Sequence, residues 1–137
     1  MPLLTWTDEL SVGVAVIDSD HRNVVDKLND LFDGAQTAQS KEKIDKLLNE
    51  LIALTAAHFV REEQLFAQTE YPDVRTHRAQ HAYLCKQALT IQQEFRSGVI
   101  ESLSPEALDV LKNKLVNHMK GFDKKCGQYL CARDLEA

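Results

Sequence analysis

Residues that break helices or cross-link chains are scarce in this sequence. Its 137 residues include only five glycines and three prolines, and these fall between stretches of helical periodicity. The three cysteines, Cys85, Cys126 and Cys131, cannot all pair with one another, and none shows a C-x-x-C spacing. We therefore expect reduced thiols and no cysteine-based zinc or redox site.

An excess of positive charge and a long apolar run are also missing. The formal net charge is −5 and the lysines and arginines are scattered, so the chain lacks the basic patch that nucleic acids or anionic membranes require. No stretch approaches the length of a membrane span, and the chain does not open with a charged-then-apolar leader. From these absences we expect a cytoplasmic protein with no nucleic-acid partner and no membrane partner.

What the sequence does contain is four stretches in which apolar residues recur with the period of an α-helix. They predict an all-α fold, an antiparallel up-down four-helix bundle. A single domain would span residues 1–137. Within it we expect an extended N-terminal arm over 1–17, the bundle over 18–121, and a short helix or turn within 122–137. Trp6 is expected to dock the arm onto the bundle.

Capping residues and helix breakers predict where the four helices begin and end. The predicted starts are marked by polar caps, the last one followed by proline at the first helical position: Asp18 or Ser19, Ser40, and Ser104 with Pro105. The predicted interruptions are Tyr71-Pro72 after the second helix, Gly98 after the third and Gly121 near the end of the fourth.

All five histidines lie on the predicted apolar faces, and one glutamate lies with them: His21, His58, Glu62, His77, His81 and His118. A single buried histidine is readily satisfied by a backbone carbonyl, although an unpaired one costs ~2–7 kcal/mol. Spacing adds to the signal, because the pairs His77/His81 and His58/Glu62 are each four residues apart and project from one helix face. Either pair alone is weak evidence, because pairs at this spacing also arise by chance or as solvent-facing ion pairs. Glu63 is interpreted as a solvated carboxylate or one that supports a ligand.

His118 and Asp123 require a different explanation, because five residues on an ideal helix amount to about 140° of rotation. The two side chains would then point in different directions. We expect Gly121, which lies between them, to release the helix and let Asp123 turn back toward the core.

Taken in chain order, these residues resemble the hemerythrin family, in particular its small stand-alone bacterial members. The matching features are His21, the segment HFVRE at 58–62, the pair H-x3-H at 77–81, and H-x4-D at 118–123. The residues around these positions also match the family: VIDSDH leads into the first histidine, NDLF follows it, and Tyr-Pro precedes the histidine pair. The resemblance covers essentially the whole chain and fills every ligand position of the family pattern.

The resemblance implies two non-haem iron ions (Fe2+/Fe3+) with an oxo or hydroxo bridge, and reversible O2 binding for storage, transport or delivery. One iron would be held by His77, His81 and His118, and the other by His21 and His58. Glu62 and Asp123 would bridge the two ions. The second iron would keep an open position for O2, and the chain would have no catalytic residue.

The resemblance also implies an apolar wall around the open position, formed by Val24, Phe59, Leu115 and Met119. Each of these residues also fits plain core packing. Lys114 stands where many relatives have tryptophan, which predicts a looser seal. The expected partners are O2 and an oxygen-consuming enzyme that receives it, and the expected oligomeric state is a monomer.

Two other functions stay open at this point. A di-iron oxidase or peroxidase could use a helical bundle, but such enzymes carry carboxylate-rich Glu-x-x-His motifs and need a placed proton donor, neither of which the apolar faces provide. A sensor of O2, nitric oxide, iron or redox state would normally need an output domain, for which 137 residues leave no room. A stand-alone sensor that acts through a partner remains an alternative.

Overall fold

Four long helices form an antiparallel up-and-down bundle in the computed structural model, which describes residues 2–37 and 39–132. The helices are α1 (Ala15–Gln36), α2 (Lys41–Thr69), α3 (Val74–Ser97) and α4 (Pro105–His118), followed by a short α5 (Lys124–Cys131). Each long helix packs on its neighbours in the chain, and α1 also contacts α4, which closes the bundle. The described ranges contain no strand. The all-α four-helix prediction is confirmed, and what was expected for residues 1, 38 and 133–137 lies outside the described residues.

Most predicted helix ends are confirmed. Two serines accept hydrogen bonds from backbone N–H groups at helix starts, and a glycine ends α3. The Ser40 hydroxyl accepts a hydrogen bond from the backbone N–H of Lys43 at 3.2 Å. Ser104 caps α4 in the same way, accepting from the Ala107 N–H at 3.1 Å, with Pro105 at the first position. Helix α3 ends at Gly98, whose φ of 83° is the left-handed conformation that glycine adopts without a steric penalty.

The start of α1 differs from the prediction, since the helix begins at Ala15 and neither Asp18 nor Ser19 is its cap. The N-cap position is Val14, which provides no side-chain hydrogen bond. Asp18 instead lies in the first turn and reaches back to the arm, where it accepts from the Val12 N–H at 2.8 Å and the Ser11 hydroxyl at 2.6 Å. The Asp18 carboxylate therefore binds the arm to the first turn of the helix. Residues 15–17, which were predicted to belong to the arm, are part of α1.

The N-terminal arm is extended apart from one 3-10 turn at Asp8–Leu10. Trp6 packs against the bundle core as expected, with the Arg22 guanidinium 4.9 Å from the centre of its ring. Asn29 on α1 fixes the same segment by exchanging two hydrogen bonds with the backbone of Leu4, at 3.0 and 2.8 Å. The arm is thereby held along the bundle rather than left in solvent.

The interior contains two apolar clusters. The larger one, here called the apolar core, includes Leu28, Leu31, Leu48, Phe95 and Leu108 among its most buried members. The smaller one, here called the C-terminal cluster, joins the arm, the end of α2 and α5: Val12, Val14, Ile17, Phe66, Tyr71, Cys126 and Leu130. Gly127 permits this contact, because a Cβ there would lie 2.3 Å from the Val12 carbonyl oxygen. None of the helices built from the described residues is both long and apolar enough to cross a membrane.

Candidate metal centre

Seven ionisable side chains meet in the interior between the two apolar clusters, and every one is at most 4% exposed. The set is the one proposed from the sequence: His21, His58, Glu62, His77, His81, His118 and Asp123. On α1, His21 follows Ile17 of the C-terminal cluster and precedes Val24 of the apolar core. On α2, His58 and Glu62 likewise fall between Leu51 and Phe66. The helical period therefore brings polar residues from all four helices to one level of the bundle.

The imidazole Nε2 atoms face the centre, where they approach the two carboxylates. His77 Nε2 lies 2.8 Å from Glu62 Oε1 and 2.9 Å from Asp123 Oδ1. His81 Nε2 is 2.9 Å from Glu62 Oε1, and His118 Nε2 is 2.9 Å from Asp123 Oδ1.

The remaining two histidines complete the centre from the other side. His21 Nε2 lies 2.9 Å from Asp123 Oδ2 and 3.1 Å from His58 Nε2. His58 Nε2 lies 3.2 Å from Glu62 Oε2. Each carboxylate therefore directs one oxygen toward each set of histidines.

The donor atoms form two overlapping groups, each compact enough to surround one metal ion. In each group the atoms lie within 4.8 Å of one another. The first group consists of Glu62, His77, His81, His118 and Asp123, and the second of His21, His58, Glu62 and Asp123. Because Glu62 and Asp123 belong to both groups, the arrangement suits two adjacent ions that share two carboxylates. Imidazole and carboxylate together suit iron among other transition metals.

A π-helical segment, Met119–Asp123, brings Asp123 to the centre. In a π-helix each N–H bonds to the carbonyl five residues earlier, so residues five apart lie one turn from each other on the same face. His118 and Asp123 can therefore both face inward. The expected release of the chain at Gly121 is wrong, because the helix widens without breaking and a Cβ at Gly121 would meet nothing within 4 Å.

The hydrogen bonding at the centre is incomplete in the way that a metal site requires. Three buried atoms that face the centre have no hydrogen-bond partner among the described residues, namely Glu62 Oε2, His118 Nε2 and Asp123 Oδ2. Each of them nevertheless lies within 3.2 Å of a polar atom of opposite type. Close approach without the alignment of a hydrogen bond leaves lone pairs available for a cation, and buried polar groups of this kind are otherwise costly. The residues present thus fit a pair of metal ions.

Both carboxylates are held in the ionised form despite their burial. Burial and the neighbouring Asp123 carboxylate act to raise the pKa of Glu62, but contacts with His58, His77 and His81 outweigh both and place it well below the ordinary value. Burial likewise acts to raise the pKa of Asp123, and His118, His21 and His77 bring it well below its usual range. Two buried negative charges therefore need positive charge between them.

Two of the histidines respond in the opposite direction. Burial alone would lower the pKa of His58, but the Glu62, Asp123 and Asp20 carboxylates together outweigh it and raise that pKa to about 9. The pKa of His77 also rises to about 9 against the effect of burial, because Asp123 and Glu62 both contact it. Protons and metal ions therefore compete for the same nitrogens, since only the deprotonated imidazole is a ligand.

The four residues expected to form the apolar wall are all buried. Val24, Leu115 and Met119 belong to the apolar core. The Phe59 ring stacks on the His81 ring with centroids 3.8 Å apart and also contacts the His58 and His118 rings. Lys114 does not point freely into solvent, because its ammonium group donates to the Tyr83 hydroxyl at 2.6 Å.

One of the two carboxylates that contact a histidine ligand at its outer nitrogen was missed from the sequence. Asp20 contacts His58 and is itself paired with Arg61, and neither residue was singled out. Glu63, which was expected to be solvated or to support a ligand, contacts His81. Asp20 neighbours His21 in the sequence but contacts His58, which lies on another helix. No local spacing could have revealed that pairing.

The fold and the centre together define a class of protein, a closed bundle with a buried histidine–carboxylate centre for two metal ions. Comparison with known proteins gives the family, since residues 12–130 match the model of the hemerythrin HHE cation binding domain. The chain is 33% identical to a bacteriohemerythrin of Stenotrophomonas maltophilia over 90% of this chain and 79% of that protein. It is also 33% identical to a bacteriohemerythrin of Methylococcus capsulatus, over 96% and 100% of the respective chains. The chain belongs to the hemerythrin family.

Two further comparisons extend the likeness. A myohemerythrin of Theromyzon tessulatum is 28% identical over 88% of each chain. A crystal structure of wild-type hemerythrin superposes with a TM-score of 0.87 at 30% identity, covering 98% of this chain and 99% of the other. The bundle and the arm are therefore those of a hemerythrin over nearly the whole length.

Proposed function

We propose that this protein binds O2 reversibly at two iron ions held by the seven buried side chains, and that it acts as a binding protein rather than an enzyme. The observation that carries the proposal is the pair of overlapping donor groups that share Glu62 and Asp123. A metal centre of this composition in a member of the hemerythrin family supports iron over other metals. The carrier function comes from that family relationship.

The donor sets make the two ions unequal. His77, His81 and His118 with the two shared carboxylates provide five donors for one iron. His21 and His58 with the same carboxylates provide four for the other. The iron held by the smaller donor group would therefore have fewer protein ligands, which would leave it the better able to take up O2. When bound, the two iron ions would each donate one electron to O2 as it binds and recover that electron when O2 is released.

The chain's own residues favour a reversible reaction by keeping water away. Val24, Phe59, Leu115 and Met119 are each at most 7% exposed, and the Phe59 ring stacks on the ring of His81. Leu115 also lines a small, mostly apolar pocket of about 20 Å3 between α2, α3 and α4. Such a wall controls solvent access to the metals and therefore limits the irreversible oxidation that water would promote.

Two buried groups near the centre, Tyr71 and Cys126, are too weakly acidic to act as the proton donor that an oxidase or peroxidase would need. Burial raises the pKa of Tyr71, which lies against His77, to about 12. Burial also raises the pKa of the Cys126 thiol above its ordinary value. Both groups therefore keep their protons and make poor general acids at neutral pH.

The test is spectroscopic and needs the purified full-length protein. Iron analysis should give two ions per chain, and the reduced protein should develop a visible charge-transfer band on exposure to O2 that disappears when the sample is purged. O2 uptake should reach one molecule per two irons. One iron per chain, or zinc after growth in iron-replete medium, would overturn the centre, and rapid turnover of added peroxide would favour the enzyme. The cytoplasmic location, the monomeric state and an oxygen-consuming recipient stay predictions.

A further inference from the structure

Two of the five histidines are each contacted by a carboxylate at Nδ1, the ring nitrogen that faces away from the centre. Each of these carboxylates is in turn paired with an arginine. In the first case Asp20 Oδ2 lies 3.0 Å from His58 Nδ1. Arg61 binds the same carboxylate with two donors, Nε to Oδ2 and Nη2 to Oδ1, each at 2.8 Å. This paired geometry is the strongest that a carboxylate and a guanidinium can adopt, and it fixes the plane of the carboxylate.

The second case has the same order of groups on the other side of the centre. Glu63 Oε2 lies 2.9 Å from His81 Nδ1, and Arg78 Nε lies 3.0 Å from Glu63 Oε1. By contrast, the buried Nδ1 atoms of His21, His77 and His118 have no hydrogen-bond partner among the described residues. The arrangement thus selects one histidine from each of the two donor groups.

Three consecutive residues of α2 serve both sides. Arg61 reaches Asp20 on α1, Glu62 points into the centre, and Glu63 reaches His81 on α3. One turn of α2 therefore sets the positions of Glu62, one of the two shared carboxylates, and of both supporting carboxylates.

We infer that Asp20 with Arg61, and Glu63 with Arg78, are positioning residues that hold His58 and His81 with Nε2 toward the metal ions. The inference rests on the proposed di-iron function. A carboxylate that accepts the Nδ1–H fixes the tautomer in which Nε2 carries the lone pair and makes that nitrogen a stronger donor. Each iron would thus receive one reinforced histidine.

The two supports are unequal. The Asp20 side chain is 13% exposed and its arginine uses two donors, whereas Glu63 is 31% exposed and its arginine uses one. Solvent weakens the more exposed link. We therefore expect removal of the Asp20 charge to have the larger effect, and to act on the iron that keeps the open position.

The experiment compares Asp20→Asn and Glu63→Gln in the full-length iron-loaded protein. Both variants keep the shape of the side chain and remove its charge. The matched control is Asp45→Asn, because Asp45 also pairs with an arginine between α2 and α3, Arg96, at 2.8 Å but contacts no histidine. If Asp20→Asn does not fold, Arg61→Gln tests the same link from an exposed position.

The first measurement is iron affinity by competition with a ferrous chelator. We expect Asp20→Asn to weaken iron binding by about 10- to 100-fold, Glu63→Gln to weaken it less, and the control not to change it. The second is proton NMR of the exchangeable imidazole N–H signals, where each variant should shift one signal and not the same one. A merely structural ion pair would lower the stability of the metal-free chain and leave both measurements unchanged.

Failure of this inference can be told from failure of the proposed function. If wild type binds two irons and O2 reversibly while both variants behave like Asp45→Asn, the carboxylates are surface ion pairs and the inference is overturned. If wild type itself does not bind two irons, the di-iron proposal is wrong and this inference is overturned with it.

Discussion

The apolar core and the metal centre, here compared as the two halves of the bundle interior, bury side chains of opposite character. The apolar core holds leucines such as Leu28, Leu31 and Leu48, which are 0% exposed and need no partner beyond close packing. The metal centre buries Glu62 and Asp123 just as completely, at 0% each. Buried carboxylates are stabilising only when positive charge and directed contacts surround them.

The same four helices therefore contain two kinds of interior, one stabilised by apolar packing and one by charge. Along the inward face of each helix, the same helical period places leucines in one stretch and metal-ligand candidates in another. The apolar core should therefore hold the bundle together whether or not metal is bound, while the centre should depend on its cations. Four substitutions test this division.

The largest effect is expected for His77→Ala, which attacks the centre directly. His77 contacts both shared carboxylates, so its loss leaves two buried negative charges with less compensation. We expect iron to fall below two per chain and the free energy of unfolding of the iron-loaded protein to fall by about 3–5 kcal/mol. The measurements are metal analysis and denaturant unfolding. Full iron content with unchanged stability would show that His77 is not a ligand.

Leu48→Ala should be nearly as destabilising but should spare the centre. Leu48 is fully buried in the apolar core, and truncation there costs about 2–5 kcal/mol through the cavity it leaves. Iron content should stay at two per chain. Leu89→Ala is the control, because Leu89 is 51% exposed and its truncation should change the stability by less than about 0.5 kcal/mol. Loss of iron from Leu48→Ala would contradict the division into two halves.

Leu115→Ala probes the boundary between the halves. Leu115 belongs to the apolar core but lies one turn before His118, and helical side chains lean toward the preceding turn. We expect a loss of about 2 kcal/mol in stability, the low end for a leucine truncation because the side chain is slightly exposed. Water should also shorten the lifetime of the oxygenated protein, measured as the decay of its absorption band in air at matched pH.

The control for that lifetime is Leu108→Ala on the same helix. Leu108 is 1% exposed and lies more than two turns from His118, so its truncation should reduce stability without altering the decay. Equal decay rates in wild type and Leu115→Ala would make Leu115 ordinary core.

Ser104→Ala should have the smallest effect and concerns only the start of α4. The lost hydrogen bond to the Ala107 N–H should cost about 1 kcal/mol, with iron content and O2 binding unchanged. Ser102 is exposed and not at the cap, so Ser102→Ala provides the baseline in the same unfolding measurement. A change in iron content would show that the two ends of α4 are coupled.

Local signals predicted much of the fold because they act over one or two turns. Ser40, Ser104 and Gly98 could be assigned correctly, since a cap involves only the neighbouring backbone. Asp18 was misassigned because α1 begins three residues before it, so that its carboxylate accepts from the Ser11 hydroxyl and the Val12 N–H of the arm instead of capping the helix. The choice between local partners thus depended on tertiary packing.

Helical period in the sequence was enough to place six of the candidate ligands, the five histidines and Glu62, on apolar helix faces, because a face depends only on the geometry of a single helix. The resemblance to the hemerythrins supplied their grouping and the place of Asp123 among them. Three further features required the folded chain: Asp123 reaches the centre through a π-helical turn, both carboxylates belong to two donor groups, and Asp20 supports a histidine on α2 rather than its neighbour His21. These are relations between helices, and they exist only once packing has fixed the distance and rotation of each helix against the others.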